Sequence, residues 1–285
     1  MDKGSRGNRM LSYIHAFHAG NHAEIIKHAA LSLVIEALKK KDKPFTIIDT
    51  HAGSGIYRID DERLRKTNEF AAGAIADAGI PEIKSYADTA RKYAESGEYP
   101  GSPALESELM RDCDELILSE LHPRAIEELR AAAERFPHKP RIHFRDGYET
   151  AIALTPPKTK RGICVIDPSY EDAGDFEKCA ETIVKIRKRW PAGIIALWYP
   201  LVAHRIMEIS MMKERIRAAS QKGEPDILDV QLEMRSPAEM TGLASLYGSG
   251  MFIVNFPYTI DEKISAAMPK IAETLSARSW SVDTL

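Results

Sequence analysis

An α/β protein with a doubly wound, mostly parallel sheet of seven strands and a small helical insertion is what this sequence predicts. Short apolar runs of strand length alternate along the chain with amphipathic stretches of helical spacing. Four of these runs lead into acidic or glycine-containing turns: Asp49-Thr-His-Ala-Gly53-Ser-Gly55, Glu120, Asp146-Gly147 and Asp167-Pro-Ser-Tyr170. In a doubly wound sheet the carboxyl ends of the strands are where a ligand sits.

The elements follow in order. Residues 1–9 read as a polar, disordered leader. Residues 21–40 form the first strong helix, with Ile25, Ile26, Ala29, Leu33, Ile35 and Leu38 at helical spacing. Asn21 suits its N-cap, and Lys39–Lys41 suit the negative end of its dipole. Phe45–Asp49 is a buried-type strand running into the glycine turn. Residues 60–112 are alanine-rich, charged and broken by Pro81 and Pro100-Gly-Ser-Pro103, and read as an inserted helical subdomain. The core is then 10–59 and 113–285. Its further strands are expected at 116–120, 141–144, 162–167, 193–198, 229–233 and 251–255. Helices are expected at 123–135, 149–154, 175–189, 201–219 and 261–277.

Composition excludes several classes. The chain has 285 residues, with 39 Lys+Arg against 42 Asp+Glu, a formal charge of −3. A nucleic-acid partner must therefore be held by local patches rather than by the whole surface. Cys113, Cys164 and Cys179 are scattered with no CxxC pair, which argues against a disulfide framework or zinc ribbon and for reduced thiols in the cytoplasm. No apolar run approaches the length of a membrane span.

The glycine turn narrows the chemistry. It lacks the third glycine of a dinucleotide fingerprint, because Arg58 stands there, and lacks the Gly-Lys-Ser/Thr of a P-loop. The remaining form, acid-x-x-x-Gly-x-Gly, resembles motif I of class I S-adenosylmethionine-dependent methyltransferases. Glu120 and Asp146, on the next two strand ends, can accept ribose hydroxyls and an adenine amine. Asp167-Pro168-Ser169-Tyr170 resembles motif IV of amino-methyltransferases, (Asp/Asn)-Pro-Pro-aromatic, with Ser169 at the second proline. The exocyclic amine of a base is a poor nucleophile because its lone pair is delocalised into the ring. The Asp167 carboxylate and the Pro168 carbonyl can accept its two N–H hydrogens and favour pyramidal nitrogen. Tyr170 can stack on the base.

The N-terminal stretch gathers Tyr13, His15, Phe17, His18 and His22, followed by Glu24, Lys27 and His28. His18 and His22 could share a helix face as metal ligands, but nothing completes a site, and no metal is expected. The other readings are helix packing, or a polar lining over cofactor and base that includes His15 and His18.

Taken together, FHAGNHAEIIKH, DTHAGSG, PGSP, SELHP, RDG, DPSYE and ALWYP resemble the bacterial 23S ribosomal RNA adenine-N6 methyltransferase family, RlmJ, in order from Met10 to about residue 280. The resemblance implies a Rossmann-like class I methyltransferase fold with a small helical insertion. It implies transfer of a methyl group from S-adenosylmethionine to one adenine amine of 23S rRNA, leaving S-adenosylhomocysteine. His28, His51, Gly53, Gly55, Ser102, Glu120, Asp146, Gly147 and Asp167 match its cofactor positions. Asp167 matches the catalytic acid, flanked by Pro168 and Tyr170, and Tyr13 matches a substrate-facing tyrosine. The expected protein is a cytoplasmic monomer without membrane contact that acts on rRNA before assembly buries the site. RNA affinity is expected from residues 1–45, with 8 Lys/Arg against 4 Asp/Glu, from Lys158, Lys160 and Arg161, and from Lys185–Arg189. Motif IV alone leaves a DNA adenine-N6 methyltransferase open. Ser169 leaves open a non-catalytic, S-adenosylmethionine-binding RNA assembly factor. A metal-dependent hydrolase built on the histidines is a distant third.

Overall fold

A computed structural model of the chain describes residues 21–59, 72–220, 225–240 and 246–285. Helix α1 (His22–Lys39) opens as expected: the Asn21 side chain accepts the backbone N–H groups of Ala23 and Glu24 at 3.0 and 3.2 Å. Fourteen of its 18 residues are buried, among them the charged Glu24 and Lys27. Amphipathic spacing alone predicts one buried face. The helix loses its solvent face because α4 (Ser102–Leu109) and α9 (Ile260–Leu275) pack on it from outside the sheet.

The main sheet has eight strands in the order β10-β8-β9-β7-β6-β1-β4-β5. They are β1 (Thr46–Asp49), β4 (Glu115–Glu120), β5 (Arg141–Phe144), β6 (Gly162–Ile166), β7 (Ile194–Val202), β8 (Ile227–Glu233), β9 (Leu246–Val254) and β10 (Ser279–Thr284). β5, β4, β1, β6 and β7 run parallel. β9 runs antiparallel to both β7 and β8, and β10 antiparallel to β8. β1 and β6 are buried at every position, which is why they read as continuous apolar runs rather than alternating ones.

The eighth strand, β10, was not expected from the sequence. Its residues, Ser-Trp-Ser-Val-Asp-Thr, are mostly exposed at the sheet edge, so no apolar run announces it. β7 and β9 are longer than expected, because both extend past the apolar centre through Pro200 and Gly248.

The 60–112 stretch, expected to be helical, contains α2 (Ala72–Asp77) and α3 (Lys84–Ala94) but also β3 (Glu98–Pro100). β3 pairs antiparallel with β2 (Ile56–Arg58) as a separate two-stranded ribbon. α4 then lies on α1, β1 and β4 rather than apart from the sheet.

Helices cover both faces of the main sheet. One core gathers α1, α4, α5 (Pro123–Ala133) and α9; the other gathers α6 (Gly147–Leu154), α7 (Gly174–Arg189) and α8 (Ile206–Ala218). The chain leaves β1 for β4 and β5, then returns to β6 on the other side of β1. The tips of β1 and β6 therefore flank a topological switch point, where loops diverge to opposite faces and open a crevice.

Candidate active site

At the tip of β1, Asp49 is wholly buried. It accepts the Ser102 hydroxyl at 2.7 Å and the His51 backbone N–H at 3.1 Å. Burial pushes its carboxyl up to about 6, against the opposing effects of the Ser102 hydrogen bond and the Lys27 charge. The chain turns through Gly53 and Gly55, both at positive φ. A Cβ on Gly55 would sit 2.9 Å from Leu129 Cδ1, so this glycine also lets α5 approach the turn closely.

Glu120, ending β4, joins two turns. Its carboxylate accepts Gly53 N–H at 2.8 Å and His122 N–H at 2.7 Å. A carboxylate has about four lone-pair sites, so acceptor capacity remains for a ligand. Beyond β5, Asp146 caps α6 by accepting Glu149 N–H at 2.9 Å. Gly147 follows, and a Cβ there would lie 2.3 Å from Thr50 O and 2.6 Å from the His51 ring. Only glycine lets α6 start this close to the β1 turn.

His51 is held neutral. Burial lowers its imidazole from the ordinary value, although several carboxylates, Asp167 first among them, oppose the shift. Its Nδ1 receives the Asp167 backbone N–H at 3.4 Å and lies 2.8 Å from the Thr50 hydroxyl, which also reaches Val165 O at 2.8 Å.

Past β6, Asp167 is buried, and its Oδ2 lies 2.5 Å from Lys27 Nζ. Lys27 also pairs with Glu24, one turn back on α1. Burial alone would lower the lysine; the Asp167 and Glu24 carboxylates outweigh it and hold the ammonium well above its usual range. Tyr170 adopts φ 53°. Its hydroxyl donates to Trp198 O at 2.8 Å, and its ring packs 4.6 Å from Phe176 and 5.8 Å from Trp198.

Two cavities meet at this loop. The larger, about 310 Å³, is lined by His51, Gly53, Glu120, Asp146, Asp167 and Pro168, among others. The smaller, about 180 Å³, is lined by Asn21, Glu24, Tyr170, Trp198, Pro200 and Leu246, among others. Asp167 and Ser169 line both. The larger cleft is strongly acidic, with seven carboxylates against two cations, Arg124 and Lys178.

Residues 42–284 match the family model described as "Ribosomal RNA large subunit methyltransferase D, RlmJ". The chain belongs to that family. Among curated relatives, the "Ribosomal RNA large subunit methyltransferase J" of Escherichia coli (strain K12) is 36% identical over 91% of this chain and 92% of its own length. The protein of the same name from Haemophilus influenzae (strain ATCC 51907 / DSM 11121 / KW20 / Rd) is 34% identical over 96% and 98%. A crystal structure of a Legionella pneumophila str. Philadelphia 1 protein superposes with a TM-score of 0.83 at 26% identity, covering 94% of this chain and 98% of that one.

In this rRNA methyltransferase the strand ends bring several of the expected residues together. His51, Gly53, Glu120, Asp146, Asp167 and Pro168 share the larger cleft, and Tyr170 joins Asp167 at the smaller. Four expected positions stand back from the larger cleft among the described residues. His28 is fully buried: its Nδ1 lies 2.8 Å from the Tyr99 hydroxyl, and its ring packs with Tyr86 and Tyr99. The all-round burial of α1 places it there. Ser102 supports Asp49 from behind, while Gly55 and Gly147 serve close packing. Tyr13, His15 and His18 lie outside the described residues.

Lys27 and Tyr148, which lines the larger cleft with its ring 5.3 Å from that of His51, are not among the expected site residues. A lysine inside an otherwise apolar helical run was the available signal for Lys27. Two expected RNA-binding clusters lie at the end of the sheet away from the cleft. Lys158, Lys160 and Arg161 precede β6, and Lys185–Arg189 end α7, so both sit at the N-terminal ends of the parallel strands. Arg161 is engaged by Lys43 O at 2.6 Å, and Arg187 is buried against Asp226. Among the described residues no group of three or more His, Cys, Asp or Glu side chains is arranged to hold a metal, and no helix is long and apolar enough to cross a membrane.

Proposed function

We propose that this methyltransferase transfers a methyl group from S-adenosylmethionine to the exocyclic N6 amine of an adenine in 23S rRNA, and that it acts as a cytoplasmic monomer before ribosome assembly covers the site. The observation that carries this reading is the meeting of two cavities at Asp167 and Ser169. One cavity suits a nucleoside cofactor and the other a flat base, with a hydrogen-bonding loop between them. S-adenosylmethionine supplies an electrophilic methyl group on a sulfonium.

The larger cleft fits that cofactor in charge and in donor set. Its acidic lining favours a ligand whose sulfonium and ammonium outnumber its one carboxylate. Glu120 has acceptor capacity for ribose hydroxyls, Gly53 brings backbone close to the ligand, and Asp146 offers an acceptor for N–H groups. On the base side, the Tyr170 ring supplies a face whose hydroxyl is already tied to Trp198 O. The Asp167 carboxylate and Pro168 carbonyl accept the two amine hydrogens and turn the nitrogen lone pair toward the cofactor cleft. Lys27 holds Asp167 by one oxygen and leaves the other for the amine. Orientation and these hydrogen bonds supply most of the acceleration. The proton of the methylated amine passes to Asp167 or to water.

The test is methyl transfer from labelled cofactor to a transcribed 23S rRNA fragment and to duplex DNA of similar length, with nucleosides identified by mass spectrometry. N6-methyladenosine in the RNA alone is expected; label in DNA alone, or on another nucleoside, refutes the reading. Asp167→Ala should lower turnover by about 10³ or more and leave cofactor binding by calorimetry within about threefold, roughly 0.7 kcal/mol. Unchanged turnover removes Asp167 from its role.

A further inference from the structure

Four polar side chains of the smaller cavity are committed to the protein itself. Asn21 Oδ1 caps α1. Glu24 pairs with Lys27, and Asp167 gives one oxygen to the same lysine. The Tyr170 hydroxyl is spent on Trp198 O. Ser169 differs: it lines both cavities, and its hydroxyl makes no hydrogen bond to any described residue. It is also the residue that stands where motif IV has a second proline, a side chain that could neither donate nor accept.

A hydroxyl at this junction has a restricted choice of partners. The sulfonium and its methyl group offer no hydrogen-bond acceptor. On the base side, an adenine whose amine is held by Asp167 and Pro168 presents acceptor ring nitrogens, N1 and N7, on either side of that amine. Guanine and hypoxanthine carry N1–H, a donor, in place of the first.

We propose that Ser169 Oγ donates a hydrogen bond to the adenine ring nitrogen beside the reacting amine, making Ser169 a residue that determines base specificity. The inference rests on the adenine-N6 reading above. A donor of this kind discriminates by leaving a wrong base with an unmade or repulsive contact. Its effect is on recognition: a hydrogen bond to the ring does not make the amine a better nucleophile.

The experiment uses the full chain and the RNA fragment that the unaltered enzyme methylates, its target carrying adenosine, 1-deazaadenosine or 7-deazaadenosine. Ser169→Ala should lower kcat/KM on the adenosine RNA about tenfold, equivalent to about 1.4 kcal/mol. Ser169→Thr, which keeps the hydroxyl, should recover most of that loss, and Ser169→Pro should not. One of the two deaza substrates should cost the unaltered enzyme a similar factor and cost Ser169→Ala nothing further. Which one does so identifies N1 or N7. Cofactor affinity by calorimetry should be the same in all variants. The proposal is overturned if Ser169→Ala matches the unaltered enzyme, if both deaza losses are the same with and without the hydroxyl, or if the variant weakens cofactor binding instead. Failure of the unaltered enzyme to methylate adenosine would sink the underlying reading; additive losses in an active enzyme would sink only this one.

Discussion

Replacing Lys27 by methionine removes the one positive charge placed between two buried carboxylates. The Lys27 side chain is 2% exposed, that of Asp167 5% and that of Glu24 4%. At 2.5 Å the gross attraction to Asp167 alone is about 7 kcal/mol at an effective dielectric of roughly 20, most of it offset by desolvation. Breaking a buried pair from one side strands the other charge, at a cost of about 3–5 kcal/mol. At a few degrees per kcal/mol for a chain this long, Tm should fall by roughly 10 °C.

Without the ammonium nothing fixes the Asp167 oxygen that Lys27 holds, and the carboxylate loses the orientation that leaves its other oxygen for an amine. Lys27→Met should therefore lower kcat by about 10² or more. Calorimetric unfolding and steady-state kinetics measure the two effects. A double variant, Lys27→Met with Asp167→Asn, should lose less stability than the two single losses added, because it removes the stranded charge. Additive losses together with an unchanged kcat would refute the assignment of Lys27 as the residue that positions Asp167.

Three further outcomes follow from the site. Asp49 is raised from its ordinary value to about 6 in the folded chain, so the folded state holds its proton more tightly than the unfolded one. Its ionisation costs stability as pH rises from about 4 to 6, by up to roughly 3 kcal/mol. The stability difference of Asp49→Asn relative to the unaltered chain should become more favourable across that window; a gap independent of pH contradicts the buried-acid assignment. Gly147→Ala places a methyl 2.3 Å from Thr50 O, a backbone atom with no freedom to yield. It should cost about 1–3 kcal/mol in stability and weaken cofactor binding by calorimetry; unchanged values for both would show that α6 can move away from β1 freely. Added salt should weaken binding of the cationic donor more than that of its net-neutral thioether product, because the cleft is acidic. Equal salt slopes would deny the cleft an electrostatic role.

Much of this molecule is legible in its order of residues. Strands buried on both faces must be apolar throughout, so β1 and β6 declare themselves, and each hands its last residues to a turn that carries chemistry. The cap at Asn21, the glycine turn, Glu120, Asp146 and the loop from Asp167 to Tyr170 are all local patterns. β10 is the contrasting case: an edge strand of polar and exposed residues is stabilised by its pairing with β8 and has no periodicity of its own to read.

Tertiary structure decided the rest. That α1 is buried on nearly every side follows from which helices cover it, and this converts Lys27 from a surface charge into the partner of Asp167 while drawing His28 in among Tyr86 and Tyr99. The same holds for the basic clusters around Arg161 and Lys185–Arg189: residues near motif IV in sequence lie at the far end of the sheet because a strand and a helix each carry the chain across it. Spacing along a chain specifies which residues share a strand end. Only the packing of separate elements determines which charges are stripped of water together, and therefore which of them must pair.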